Sequence, residues 1–350
     1  MAFDFTKLGK KIVVGQTVLD TIYSVKKLTI LSEPQYSSGP RNEYKSSNPK
    51  LVAAEHENQF AINLNLTNGY NFDRRVHNGI FAYDESIAKY IALEGKATNI
   101  SFAMINLNGD SYDAICEIDS IFVTRSSDVH SQIKNSVLAD EYDVGTTTNR
   151  EISEHKRLFL EQNAKENSIL LIDGPLLAGD GLTKFITIVE SHFIPRDIIP
   201  IFVVKNSNSP LICDSWPEYK GKYNSDLHLI HSKLKAGQRT QFFIYTDESN
   251  KNWTKAFCYI KFRERYSPIR IEIPTKIFYR CVDSKIINDL MDLIYYYIMV
   301  QGSDVNPQPR PISIAEKFAR ESLSVVKLDD KYNNSQLTQT MNERRGMYEE

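Results

Sequence analysis

Two aspartates stand where apolar runs end. Asp84 closes IFAYD and Asp173 closes SILLID. Runs of that composition form half-buried or buried strands. In an open α/β sheet, ligands gather at the carboxyl ends of strands. Two carboxylates converging there are hard oxygen donors suited to a divalent cation. Such cations activate water and stabilise the leaving oxygen in phosphodiester cleavage. A third acid usually completes such a site. The helix-like stretch NREISEHKRLFLEQNAKEN, just ahead of Asp173, offers Glu151, Glu154 and Glu161, with Glu154 and Glu161 on a shared face. The same residues also have a plainer use. Asp-Gly-Pro makes a turn, Asp-Glu-Ser caps a helix, and a helical glutamate is ordinarily solvated. The residue types alone leave both readings open.

The elements that must position these acids follow from periodicity. GIFAYDES reads as a strand ending in an acidic turn at Asp84. NISFAMINLNG and AICEIDSIFVTRSS alternate apolar and polar residues, as half-buried strands do. After the Glu-rich helix come a buried strand (SILLIDGPLL), a helix (LTKFITIVESHF) and a second buried strand (IIPIFVVKNS). This alternation over about 79–206 predicts a layered α/β core. An irregular insertion with one helix, SDLHLIHSKLKAG, covers about 207–240. Three hairpin-spaced strands follow (TQFFIYTDE, KAFCYIKFRE, SPIRIEIP), then a helix over 285–300, a Pro-rich turn and a last helix, ISIAEKFARESL. Residues 1–77 form a helix-leaning arm and connector. Within it, helix is expected over Lys50–Ala61, and a Ser/Pro/Asn-rich loop lies just before. The apolar positions of 13–31 suit either docking on a partner or packing on the chain's own core. The polar segment 329–350 is expected to lack order.

Composition excludes several classes. Lys and Arg number 42 against 44 Asp and Glu, a formal charge of −2, so no basic domain announces nucleic acid. Local charge, not the total, attracts phosphates, and a DNA substrate remains open. Cys116, Cys213, Cys258 and Cys281 form no C-x-x-C pair, which argues against a zinc knuckle and for reduced thiols in the cytoplasm. The first residues lack the long apolar core of a signal peptide, and no apolar run approaches the ~20 residues of a membrane span. IINDLMDLIYYYIMV comes nearest, but its two aspartates and helical spacing mark a buried amphipathic helix. There is no G-x-x-x-x-G-K-[ST], G-x-S-x-G or H-E-x-x-H. His228 and His231 are spaced for one helix face, but no third ligand is near them, and they read as surface or packing residues.

Taken in order, these motifs resemble the NurA nuclease family. In this chain the resemblance lies in IFAYDES with Asp84, in NREISEHKRLFLEQNAKENSILLIDGPL with Glu154 and Asp173, and in PIFVVKNSNS with Lys205. LHLIHSKLKAGQRTQFF, the strand pair KAFCYIKFRERYSPIRIEIP with Arg270 and Glu272, and QPRPISIAEKFARESL complete it. It spans about 250 residues. The resemblance implies a nuclease domain over 78–328 with an RNase H-like α/β fold: a mixed sheet flanked by helices, with a helical N-terminal arm and C-terminal helices. It also implies a homodimer, Mn²⁺ or Mg²⁺ as cofactor, and action on single- and double-stranded DNA ends beside a hexameric HerA-type ATPase.

On that resemblance Asp84, Glu154 and Asp173 hold the metal, Glu316 is a further ligand, and Lys205 stabilises charge on the phosphate. A surface position for Lys205 is the plain alternative. Arg270 and Glu272 alternate on one strand face and are expected to pair structurally. Two positions depart from the family pattern. Its histidine falls on Glu316 and its tyrosine on Gln308. A glutamate can coordinate a hard metal but does not supply an imidazolium. Glu85 stands where the family has glycine, as a further ligand or an obstruction. An alternative reading is a catalytically weak scaffold that docks on the translocase and guides DNA, in repair or in anti-phage defence.

Overall fold

The computed structural model describes residues 16–26, 50–54, 59–76, 79–108, 111–134, 136–139, 144–177, 185–207, 209–223, 225–247, 253–301 and 307–326, with 332, 335, 337 and 338. The fold is α/β: one large mixed sheet flanked by helices. Its strands are β1 (Lys50–Ala53), β2 (Ala61–Asn63), β3 (Ile80–Ala92), β4 (Gly95–Asn108), β5 (Ser111–Thr124), β6 (Ser136–Leu138), β7 (Ile169–Asp173), β8 (Ile199–Val204), β9 (Gln238–Thr240), β10 (Phe243–Thr246), β11 (Thr254–Lys261) and β12 (Ile269–Pro274). Their spatial order is β1-β10-β11-β12-β8-β7-β3-β4-β5-β6, with β9 joining β11 to β2.

The middle of the sheet is parallel, β8 beside β7 beside β3, as the apolar runs of β7 and β8 predict. Antiparallel hairpins extend it on both sides. The helices are α1 (Gln16–Lys26), α2 (Leu66–Asp73), α3 (Ser127–Gln132), α4 (Val144–Asn163), α5 (Ile186–Ile188, continued by a π-turn over Val189–Phe193), α6 (Leu211–Ser215), α7 (Asp226–Lys233), α8 (Thr275–Asp283), α9 (Ile287–Gln301) and α10 (Arg310–Val326).

Several expectations change. β3 does not stop at Asp84 but runs to Ala92, because Glu85–Ala92 pair with Phe102–Gly95 of β4. Lys50–Ala53 is a strand, not a helix, since β10 takes it as an antiparallel partner. The stretch 207–240 is no mere insertion: it supplies α6, α7 and β9, which enters the sheet. In the C-terminal segment, Tyr332 stacks on Tyr90 at 5.1 Å and its hydroxyl contacts Ser120 Oγ at 2.7 Å. Thr338 donates its N–H to Glu94 and accepts that of Leu93. Of the loop expected over 32–50, residues 32–49 lie outside the described residues and Lys50 opens β1. Residues 13–15 and 27–31 lie outside them as well, while α1 between them exposes Ile22, Tyr23 and Val25. Among the described residues no helix is long and apolar enough to cross a membrane.

The core that carries Asp84 is aromatic. Tyr83 packs against both Phe102 of β4 (6.5 Å) and Phe159 of α4 (5.9 Å), and those two rings stack at 5.5 Å. All three are buried. Burying such side chains contributes ~1.5–3 kcal/mol each, and close packing passes any shift in Tyr83 directly to its neighbour Asp84. Phe159→Ala is expected to lower unfolding free energy by ~3–5 kcal/mol, measured by urea denaturation. A loss under 1 kcal/mol would mean that α4 does not brace β3.

Candidate functional site

Asp84 and Asp173 are brought side by side by strand register. β3 and β7 are parallel, with Tyr83 opposite Ile172, so the two aspartates follow one step further along neighbouring strands. Side chains alternate across a strand, which turns both carboxylates to the same face of the sheet. Asp84 is buried at 7 % exposure. Its Oδ1 accepts the Glu85 N–H at 2.7 Å.

Lys205 follows the last residue of β8, the strand beside β7. Its ammonium contacts Asp173 Oδ2 at 2.8 Å and donates to Gln308 Oε1 at 2.6 Å. Gln308, fully buried just ahead of α10, donates through Nε2 to Glu316 Oε2 at 2.5 Å. Arg320, one turn on, holds the other oxygen of Glu316 at 2.9 Å. The structure thus gathers four of the five expected residues: Asp84, Asp173, Lys205 and Glu316. The surface reading of Lys205 gives way to an ion pair inside this group.

The electrostatics follow from burial. Desolvation, then the Asp173 charge, pushes Asp84 up to about 7, against opposition from the Glu85 N–H and Lys205; Glu316 adds to the rise. Burial also raises Asp173, while the Lys205 charge and hydrogen bond, and more weakly Lys156, pull it back.

Glu154 is not part of the group. Its side chain is 52 % exposed on α4 and pairs with Arg157 at 2.5 Å. Hydrogen bonding to Arg157 holds it below the usual carboxylate range. The cause is helical phase. Ile152, Lys156, Phe159 and Leu160 mark the inward stripe, and Glu154 lies about 200° around the helix from Lys156. The four-acid ligand set is accordingly not assembled. Among the described residues no three His, Cys, Asp or Glu stand as a metal-holding cluster.

What α4 delivers instead is Lys156, which sequence reasoning missed. It is 5 % exposed, pairs with Glu85 at 2.9 Å and lies over the Tyr83 and Phe185 rings at 5.1 and 4.9 Å. Tyr83 also donates its hydroxyl to Glu85. One oxygen of Glu85, Oε2, is therefore shared by Lys156 and Tyr83. A lysine at i+4 from Ile152 in an apolar stripe was the available signal. His228 and His231 lie on α7, where the Lys261 charge also bears on His231. Both are lowered, first by burial, and His228 Nδ1 bonds Ser225 Oγ at 3.0 Å.

Arg270 and Glu272 pair as expected, but in the interior. Glu272 Oε1 takes Arg270 Nε at 2.7 Å and Lys255 Nζ at 2.6 Å, and all three residues are at most 1 % exposed. Burial pushes Glu272 up, yet the Lys255 and Arg270 charges outweigh it and leave the carboxyl below its ordinary value. Its other oxygen accepts the Leu176 N–H at 2.8 Å, fixing the Asp173-Gly-Pro-Leu turn. Arg270 also donates to Ser207, two residues past Lys205.

The NurA domain matches residues 122–321, more than half of the chain. The chain belongs to the NurA family. The matched span contains Asp173, Lys205, Gln308 and Glu316, whereas Asp84 precedes it. Among solved structures, the NurA nuclease from Sulfolobus solfataricus is similar at 12 % identity and a TM-score of 0.44, over 80 % of this chain and 88 % of that one. A NurA structure with manganese gives 8 % identity and 0.39, over 71 % and 88 %. An endonuclease V from Bacillus subtilis gives 10 % and 0.39, over 75 % and 91 %. No curated protein matches the chain.

The raised carboxyl of Asp84 sets a pH dependence for this NurA protein without added cation. The folded chain holds a proton on Asp84 that the unfolded chain, at 3.8, gives up sooner. Stability from this group is therefore present at low pH and lost as pH rises from about 4 through about 7. Asp84→Asn is expected to flatten that slope and to be more stable than wild type at pH 8 by a few kcal/mol, at about 1.4 kcal/mol per pKa unit. Urea titrations in EDTA at pH 5 and pH 8 measure it. An unchanged slope would refute the buried, repelled carboxyl.

Proposed function

We propose that this chain is a divalent-cation-dependent DNA nuclease that processes DNA ends. The observation that carries the reading is the pair of buried Asp84 and half-buried Asp173, side by side on parallel strands, with Lys205 paired to Asp173. The donor set fits a hard cation. Two oxygen-only donors sit in a desolvated place and repel each other, a state that a divalent cation relieves. Asp84 and Asp173 would hold the ion, Mn²⁺ or Mg²⁺, with Glu316 close enough to act through its charge. When bound, the cation supplies a Lewis acid for the phosphate and lowers the pKa of water.

The chain's own residues do the rest. Lys205 neutralises charge developing on the phosphoryl oxygens, a role that a fixed ammonium fills without reorganisation. The Glu85 N–H and the aromatic layer beneath Tyr83 fix Asp84 and exclude water from its sheet side. Glu272 and Arg270 hold the two turns that present Asp173 and Lys205. Family membership supports DNA as substrate, and it extends the proposal to a homodimer acting beside a hexameric HerA-type ATPase in the cytoplasm. The nuclease unit is placed at 78–328, with 1–77 and 329–350 as flanking segments.

The test is cleavage of linear single- and double-stranded DNA with Mn²⁺, Mg²⁺ or EDTA. Cleavage is expected with either metal and not with EDTA. Asp84→Asn and Asp173→Asn should each lower kcat on the order of 10²–10⁴-fold, the several kcal/mol that cation catalysis supplies. Glu154→Ala should cleave like wild type. Cation-dependent cleavage that survives both aspartate substitutions would remove this pair from the mechanism.

A further inference from the structure

Gln308 is fully buried, yet both ends of its amide are used. Lys205 can only donate, so the atom facing it at 2.6 Å is the amide oxygen. The Glu316 carboxylate accepts, so the atom facing it at 2.5 Å is the amide nitrogen. With both partners fixed in kind, the amide has one orientation. The Lys205 ammonium is thereby held from two sides, by Asp173 Oδ2 on β7 and by Gln308 Oε1 on the segment entering α10. On the far side, Arg320 fixes the other oxygen of Glu316. The result is a continuous chain from Arg320 through Glu316, Gln308 and Lys205 to Asp173.

Such a chain matters because Lys205 is a point charge on a flexible stem. Tied to Asp173 alone, it would be released whenever that carboxylate turned to another cation. We propose that Gln308 is a positioning residue that holds the Lys205 ammonium at the carboxylate pair independently of Asp173, and so keeps it available to substrate phosphate. This rests on the reading of the cluster as a phosphodiester-hydrolysing centre. No other residue of similar size serves both neighbours: methionine makes neither bond, and glutamate keeps the acceptor for Lys205 but loses the donor to Glu316.

The experiment compares full-length wild type, Gln308→Met and Gln308→Glu. Limited acetylation with a small acylating reagent is read at Lys205 by mass spectrometry, against Lys276, which is exposed and remote in its own pair with Glu190. Gln308→Met is expected to raise the Lys205 rate about tenfold, the worth of one charge-assisted hydrogen bond, while Gln308→Glu stays within about twofold of wild type. In DNA cleavage, Gln308→Met should lower kcat about tenfold with KM little changed, since the hold acts on transition-state charge. Unchanged reactivity at Lys276 and at buried Lys156 shows that the fold is intact. Equal Lys205 reactivity in Gln308→Met and wild type overturns the proposal, as does equal reactivity in the Met and Glu variants. Labelling needs no cleavage: if wild type cuts no DNA yet the labelling pattern appears, the hold on Lys205 stands and the nuclease reading falls.

Discussion

The site depends on one buried charge cluster, Lys255–Glu272–Arg270 on β11 and β12. Three ionised groups at 0–1 % exposure are expensive to desolvate, and apolar residues of equal volume would often serve stability as well. What apolar residues would not do is reach outward. Glu272 spends one oxygen on the two cations and the other on the Leu176 N–H. Arg270 spends one arm on Glu272 and another on Ser207. β12 adjoins β8, and β7 lies next beyond, so both turns at the strand ends are moored to one carboxylate–guanidinium pair. Removing Glu272 alone would take the shared carboxylate from two buried cations and release the turn after Asp173. The cost of the cluster is set against the geometry of Asp173 and Lys205.

The second constraint runs the other way. Asp84 and Asp173 are placed where neither is comfortable: desolvated, adjacent and like-charged. A fold selected only for stability would separate them or pair each with a cation. Here Lys205 pairs with Asp173, while Asp84 is left with one backbone N–H. The balance leaves about one positive charge wanting, and it wants it between two oxygens on a rigid parallel pair of strands. Lys156, on the neighbouring helix, acts on Asp173 only at a distance because Glu85 holds its ammonium.

Much of this was legible in the sequence, and the exceptions have physical reasons. β7 and β8 show as apolar runs because both faces of those strands are covered, whereas β12 alternates apolar with charged residues although it too is buried on both faces. With them, Asp173, Lys205 and the Arg270–Glu272 pair fall at strand ends or on strands. Asp84 was found for a partly mistaken reason. It lies mid-strand, and it is β7 beside it that ends, a fact of pairing invisible in local periodicity. Glu154 failed on phase: 20 residues of α4 contain several acids, and only the apolar stripe tells which way each points. Lys156 occupies that stripe, but a lysine does not count as apolar, so the pattern hid it. Lys50–Ala53 became a strand through a partner about 190 residues later in the chain, which no local propensity encodes.

Gln308 and Glu316 show how the outer row of residues differs from the inner one. The inner pair sits on strands whose register leaves little freedom. The outer pair arrives on a proline-flanked segment and a helix, and hydrogen bonds and an ion pair set its orientation. A glutamate so placed has both oxygens already engaged, by an amide and by a guanidinium. It contributes its charge to Asp84 and Asp173 from there without spending an oxygen on either. For Glu316 to become a ligand, at least one of those bonds must open. The arrangement therefore makes Glu316 a source of negative potential first and a ligand only at the expense of the chain that steadies Lys205. In the centre proposed, groups that hold the ligands would be as decisive as the ligands themselves.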